Sequence, residues 1–338
     1  MPPSAVSIVM PYRDAAGTLP AVLADISQQT LGAWELLAID DGSEDEGPVI
    51  VADAAARDRR IRPLHVPRQG IVAALTVGCE AAEAPLVARM DADDAMDPRR
   101  LAVQAAHLEE HPHVGLVSCL VRFGGDPRRA VGFAHHVRWC NEQRTPEAIR
   151  LRRFVEMPIA HPSVLFRREL IERHGGYRQG PFPEDYELLL RWLEAGVVMD
   201  KVPDVLLTWN DPPDRLTRSD PRYAVQRHYD MKCAYLAMEV ARQAAGRSLW
   251  LWGAGRITRR RFDGLARHGL ALAGFIDIDP RKVGRCIDGR RVVRPDDVPP
   301  MESSYVIAGV GARGARELAA HALQAQGRLE GRDFILAG

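Results

Sequence analysis

Two rhythms of apolar residues alternate along the first hundred positions. Short, nearly continuous apolar runs, AVSIVMPY (5–12), WELLAID (34–40), IRPLHV (61–66) and PLVARM (85–90), read as buried strands. Stretches with helical spacing lie between them. TLPAVLADISQQT (18–30) puts Leu19, Val22, Leu23 and Ile26 on one face, with Thr18 at the N-cap position. DEGPVIVADAAARD (45–58) and GIVAALTVGCEAA (70–82) read as the next two helices. This alternation predicts an α/β fold with a parallel sheet covered on both faces, whose ligand sits beyond the carboxyl ends of the strands.

The pattern continues with a helix at 98–111, opened by Pro98 at its first position, and a strand at 114–125. Residues 126–160 are less regular. HPSVLFRRELIERHGGY (161–177) combines a short strand and a helix, and PEDYELLLRWLEAG (183–196) is a helix with acids at its start. The loop WNDPPDRLTRSDPRY (209–223) precedes a long helix. Near residue 247 the pattern restarts: SLWLWGAGR is strand, glycine turn and helix start, LAGFIDIDP (272–280) a strand ending in acids, YVIAGVGARGARELAAHAL (305–323) a further strand–glycine–helix unit, and DFILA a last strand. The expected organisation is a first domain over 1–245 and a small Rossmann-like α/β domain over 246–338.

Composition narrows the field. A length of 338 residues suits two domains, and a formal net charge of +0 gives no support for nucleic-acid binding. The run RITRRRF (256–262) reads as a solvated helix face. Five scattered cysteines without C-x-x-C spacing argue against a disulfide framework or zinc site and for reduced thiols in the cytoplasm. The N-terminus lacks the pattern of a secretory signal, and no apolar run reaches the ~18–20 residues that span a bilayer. Peripheral contact at the inner face of a membrane stays open.

The chemistry concentrates in ARMDADDAMDPRRL (88–101), where Asp91, Asp93, Asp94 and Asp97 follow an apolar strand. Two unit charges about 4 Å apart repel by roughly 1 kcal/mol in water and about 4 kcal/mol near a protein surface. On extended backbone, residues two apart point the same way, so Asp91 and Asp93 can face one Mn²⁺ or Mg²⁺ that receives a diphosphate. The other reading is an acidic helix entry, since Asp94 and Asp97 lie just ahead of a helix. A second acidic strand end, Asp40-Asp41, favours the ligand site.

Residues 5–235 resemble the family 2 glycosyltransferases, which have the nucleotide-diphospho-sugar transferase fold called GT-A. The resemblance runs in order through SIVMPYRDAAGTLPAVLADISQQTLGAWELLAIDDGSED, GIVAALTVG, ARMDADDAMDPRRLAVQ, HPHVGLV, HPSVLFRRELIERHGGYR and PEDYELLLR. It implies that Pro11 and Tyr12 line the base pocket and that Asp40 accepts a hydrogen bond from the nucleobase. Asp91 then contacts ribose or metal, and Asp93 holds the metal. It also implies an inverting transfer from a nucleotide-diphospho-sugar to a saccharide or glycolipid acceptor, as in surface polysaccharide synthesis. Glu184 and Asp185 are placed near the acceptor, with Asp185 suited to general base catalysis. The other reading of that pair is that both acids simply favour a helix N-terminus.

Two departures stand out. Many members carry Arg-Asn where this chain has Leu75-Thr76, and some carry a histidine in the loop that here reads WNDPPDRLTR. Arg215 and Arg218 are the cations available there for phosphate oxygens. His161 reads as a packed structural histidine. In the second domain GAGRIT (253–258) with Asp277 resembles a dinucleotide fingerprint through Gly253, Gly255 and the acid, but Thr258 replaces the third glycine. Nucleotide binding and a packing or oligomerisation role both remain open for that domain. So do two other functions: a regulator with a dead transferase site, which intact Asp91, Asp93 and Asp185 oppose, and an NAD(P)-linked sugar enzyme, which the lack of a Tyr-x-x-x-Lys pair after GAGRIT opposes.

Overall fold

The apolar runs become strands, two of them buried along their whole length. The computed structural model describes residues 4–213, 215–312 and 314–338, so Arg313 of the second glycine run lies outside it. Its first strands are β1 (Val6–Tyr12), β2 (Trp34–Asp40), β3 (Ile61–His65) and β4 (Leu86–Arg89). They pair in parallel in the order β3-β2-β1-β4. Every residue of β1 and β2 is buried, which is why these segments show no polar alternation. The helices Leu19–Ser27, Gly47–Arg57 and Ile71–Ala81 connect them. In the first, Leu19, Val22, Leu23 and Ile26 are the buried positions. Thr18 stands at the N-cap, but its hydroxyl donates to the Ala15 carbonyl instead of accepting from the helix.

The sheet extends through β5 (Ala95–Met96), β6 (Val114–Phe123), β7 (Leu165–Arg167) and β8 (Val198–Trp209) to eight strands in the order β3-β2-β1-β4-β7-β6-β8-β5. β7 runs antiparallel to β4 and β6, and β5 antiparallel to β8. Three local expectations change. The helix after the acids runs Arg100–Glu110, so Pro98 precedes it; the Pro98 carbonyl instead accepts from the Thr30 amide at 2.8 Å. The irregular stretch contains the helices Val131–Glu142 and Pro146–Arg152, whose buried positions are few: Val137 and Cys140 in one, Ile149 in the other. β8 lacked a strand signal because Pro203 interrupts it. The structure admits the proline through a register shift in which Cys119 pairs with Val202 and Leu120 with Val205, leaving Pro203 and Asp204 as a bulge.

The chain divides into two compact units. The first takes the chain up to Ile149, with Pro158–Gly180 and Glu184–Asp220; the second takes Arg150–Met157, Pro181–Pro183 and Pro221–Gly338. The second unit therefore begins well before the restart of the pattern near residue 247, because the helix Val225–Ala244 packs on the helices Arg256–Phe262 and Gly264–Arg267. Its sheet contains β9 (Ser248–Trp252), β10 (Leu272–Ile276), β11 (Cys286–Ile287), β12 (Arg290–Val293), β13 (Ser304–Ala308) and β14 (Phe334–Leu336), in the order β11-β12-β10-β9-β13-β14. All pairs are parallel except β11–β12.

Lys232, on the long helix, is buried and donates to the carbonyls of Ala337 (2.9 Å) and Val155 (3.4 Å). Burial pushes its pKa down to about 7. Between that value and the ordinary lysine range, the unfolded chain keeps a proton that the folded unit has released, so stability rises with pH. Melting curves of the wild type should therefore gain more between pH 7 and pH 9 than those of Lys232→Met. Equal gains in the two proteins would show that Lys232 is charged in the folded state.

Candidate functional site

The acids gather where the parallel strands end. β4 stops at Arg89, and the next residues turn Asp91, Asp93 and Asp94 together, with ligand oxygens all within 4.8 Å of one another. Asp91 and Asp93 are half-buried and Asp94 is buried. Several fixed donors hold this arrangement. The buried Arg89 guanidinium reaches Asp91 Oδ1 at 2.5 Å. The Asn210 amide, just beyond β8, donates to Asp94 Oδ1 at 2.8 Å, and its side chain donates to the Asp93 carbonyl at 2.7 Å. A Cβ on Gly124 would lie 2.0 Å from Asn210 Oδ1, so only glycine lets Asn210 approach. Asp97 does not join the cluster; its carboxylate accepts from the Arg99 amide at the helix entry.

The cluster carries more negative charge than its donors neutralise. Burial, then Asp91, pushes Asp93 up to about 6, and burial with Asp91 and Asp93 raises Asp94 well above the carboxylate range. Asp94 Oδ2 is buried with no hydrogen-bond partner among the described residues. Three convergent carboxylates with an unsatisfied buried oxygen match the oxygen donor set of a hard divalent cation. Asp94 is the member that the sequence left between two readings, a strand end and a helix entry.

The remaining expected residues fall around this edge. Tyr12 and Asp40 are register partners on β1 and β2, and both are buried. Burial, then Asp40 and Asp45, raises the Tyr12 pKa. Pro11 precedes Tyr12 on β1. Asp40 accepts from the Ser43 amide at 2.9 Å and meets Nδ1 of exposed His65 at 2.8 Å. Asp41 serves the fold: its carboxylate takes the amides of Gln69 and Gly70 ahead of the helix Ile71–Ala81. In that helix Leu75 is buried and Thr76 bonds back to the Val72 carbonyl.

Arg215 and Arg218 both face Asp211, Arg215 at 3.8 Å and Arg218 more closely. Arg218 forks onto both oxygens of Asp211, at 2.7 and 2.8 Å. Arg215 lies over the rings of Phe133 (4.2 Å) and Trp209 (4.7 Å), close enough for its charge to pull down the Asp93 pKa. Glu184 and Asp185 open the helix Glu184–Glu194, the first buried and the second half-buried. Their charges raise the Tyr177 pKa, although burial is the larger cause. The Tyr177 hydroxyl bonds His161 Nε2 at 2.7 Å, and burial followed by Arg89 lowers the His161 pKa. Arg89 touches the carboxylate cluster through Asp91, and its charge is felt by His161 and Tyr177. Long-range packing placed them there, and no local pattern marked Arg89 or Tyr177. In the second unit Gly253 and Gly255 follow β9, and the Ala254 amide between them donates to Asp277 at 3.0 Å.

An open sheet whose parallel half ends in acids, extended by mixed strands that complete the acidic edge, is the GT-A fold of nucleotide-diphospho-sugar transferases. The family model for Glycosyl transferase family 2 matches residues 7–175, and the chain belongs to that family. It is 30% identical over 208 residues to the amylovoran biosynthesis glycosyltransferase AmsE of Erwinia amylovora, covering 60% of this chain and 74% of that protein. It is 27% identical to the putative glycosyltransferase EpsE of Bacillus subtilis, over 65% of this chain and 78% of that one. Several other relatives are matched over only about a quarter of their own length. A crystal structure of S. aureus TarS 1–349 in complex with UDP-GlcNAc superposes with a TM-score of 0.55 at 16% identity, over 78% of this chain and 72% of that one. Among the described residues no helix is long and apolar enough to cross a membrane.

Asp93→Asn removes one charge from the cluster. Without added metal at pH 7.5, its melting temperature should rise by about 2–4 °C, the equivalent of roughly 1 kcal/mol, while stabilisation by added Mn²⁺ should vanish. A variant still stabilised by Mn²⁺ as strongly as the wild type would remove Asp93 from the cation site.

Proposed function

We propose that this glycosyltransferase is metal-dependent and inverting, moving a sugar from a nucleotide-diphospho-sugar to a hydroxyl of a saccharide or glycolipid in surface polysaccharide synthesis. The observation that carries the reading is the convergence of Asp91, Asp93 and Asp94, with its orphaned oxygen, at the ligand-facing end of β4. The names of AmsE and its kin support the polysaccharide setting. Asp40 receives the nucleobase: each of its oxygens has one partner, and a carboxylate oxygen has room for a second. Pro11 and Tyr12 form the adjoining wall. Asp91, Asp93 and Asp94 would hold Mn²⁺ or Mg²⁺, which supplies Lewis-acid stabilisation to the leaving diphosphate. Arg215 is the arginine positioned to meet a phosphate; Arg218 is committed to Asp211 and acts by anchoring the loop.

Asp185, more exposed than Glu184, takes the proton of the acceptor hydroxyl as its oxygen forms the new bond to the anomeric carbon. The bond from that carbon to the diphosphate oxygen breaks, its electron pair leaves with the nucleotide, and the centre inverts. Tyr177, whose pKa is raised, stays a neutral hydroxyl beside the acid pair and adds no competing base.

Binding and chemistry separate by mutation. Asp185→Asn should leave donor affinity within about twofold and cut turnover by at least ~10²-fold, the lower end for general base catalysis. Asp40→Asn should weaken donor binding with a smaller effect on turnover at saturation. Titration of UDP-, GDP- and dTDP-sugars with and without Mn²⁺, followed by single-turnover transfer, reads both. Near wild-type turnover by Asp185→Asn would move the base elsewhere, with Glu184 next to test.

A further inference from the structure

The second unit contains a feature that sugar transfer leaves unused. Its parallel strands, taken across the sheet, run third, second, first, fourth, fifth in chain order, so the order reverses between β9 and β13. In open α/β sheets ligands bind outside the carboxyl ends of the strands at such a reversal. A cavity of about 210 Å³ lies there, formed by residues that follow β9 (Gly253, Gly255), β10 (Asp277) and β13 (Val310). We propose that this cavity holds a mononucleotide: a nucleoside phosphate with an unsubstituted ribose.

Three observations carry the assignment. The floor is bare backbone. Gly253 has φ +118°, and a Cβ there would lie 2.9 Å from the Thr258 methyl and 3.1 Å from Val310; Gly255 has open space where its Cβ would point. The lining includes two large, mostly exposed apolar side chains, Ile278 (67% exposed) and Leu318 (63% exposed). Exposed apolar groups lining a cavity suit a flat base. The third observation is Asp277. It is buried, and it accepts from the Ala254 amide (3.0 Å), the Asp279 amide (2.9 Å) and Lys282 Nζ (2.9 Å). Two carboxylate oxygens offer about four acceptor positions, so one remains for a ribose hydroxyl. Lys282, itself in the cavity lining, holds that carboxylate in place.

The same features argue against larger or differently charged ligands. Thr258 stands where a dinucleotide turn has its third glycine, so the close helix–strand packing of a dinucleotide site is not reproduced. A 2′-phosphate would bring a second anion against Asp277. The shared chemistry covers the transferase's own nucleotide, as product or donor, and an unrelated adenine nucleotide. The inference does not depend on the proposed mechanism of the first unit.

Calorimetry on the full chain in EDTA, which silences cation-dependent binding, tests it with UDP, GDP, dTDP, ADP, NAD⁺ and NADP⁺. At least one nucleoside diphosphate should bind at one site per chain; uridine, guanine or thymine preference points to the transferase's nucleotide, and ADP to a separate ligand. Gly255→Leu puts a side chain into the open space of the cavity at φ −65°, ψ 148°, a conformation leucine adopts freely, so binding should disappear with the unliganded melting curve unchanged. Ile278→Ser, at an exposed wall position, should weaken binding independently of any effect of Gly255→Leu on folding. Asp277→Asn should weaken it about tenfold or more. The proposal is overturned if no nucleoside diphosphate binds in EDTA, if binding survives Gly255→Leu and Ile278→Ser undiminished, or if NAD⁺ or NADP⁺ binds as tightly as the best mononucleotide.

Discussion

Three carboxylates held within 4.8 Å of one another impose the main constraint on the first unit. Each like-charged pair at that range repels by roughly 1 to 4 kcal/mol, depending on how much water surrounds it. The surrounding structure absorbs part of this through fixed donors: Arg89 on Asp91, and the Asn210 amide on Asp94. Those donors come from β4 and from beyond β8, so the cluster depends on segments distant in sequence. Gly124 leaves the space that Asn210 enters, and the stacked Arg215 adds positive charge nearby. The repulsion left over raises the pKa values of Asp93 and Asp94, and a divalent cation is the kind of group that would offset it.

The parallel half-sheet was legible because β1 and β2 are buried throughout and their connecting helices show clean 3.6-residue spacing. β8 was not legible. Pro203 breaks its pattern, and only pairing with β6 shows that the proline sits in a bulge. The helices Val131–Glu142 and Pro146–Arg152 also left little trace, since few of their residues reach a core. At the site, the strand-end positions of Asp40, Asp91 and Asp93 follow from local pattern. The part played by Asp94 does not, since the partner that leaves its other oxygen orphaned is an amide 116 residues along the chain. Arg215 and Arg218 looked equivalent in sequence; both reach Asp211, but Arg218 forks onto it at hydrogen-bond distance while Arg215 stacks on Phe133 and Trp209.

The second unit illustrates the same division between local and tertiary information. Its strands and glycine turn were readable, yet a fingerprint missing its third glycine left both nucleotide binding and a packing or oligomerisation role open. Tertiary structure adds the strand order, the cavity at the reversal and the hydrogen bonds that orient Asp277. The long helix Val225–Ala244 joins this unit because Lys232 and its neighbours are buried there, a fact that depends on partners distant in sequence.

Paramagnetic relaxation gives the most direct view of whether the carboxylate cluster works as a cation site facing a diphosphate. Phosphorus NMR of a bound nucleoside diphosphate, recorded with diamagnetic Mg²⁺ and then with substoichiometric Mn²⁺, reports the proximity of the metal to the phosphates. Strong relaxation of both phosphorus signals in the wild type, lost in Asp93→Asn and Asp94→Asn, is the expected result. Bound nucleotide whose phosphorus relaxation is unaffected by Mn²⁺, or is enhanced equally in those variants, would contradict the role assigned to the cluster.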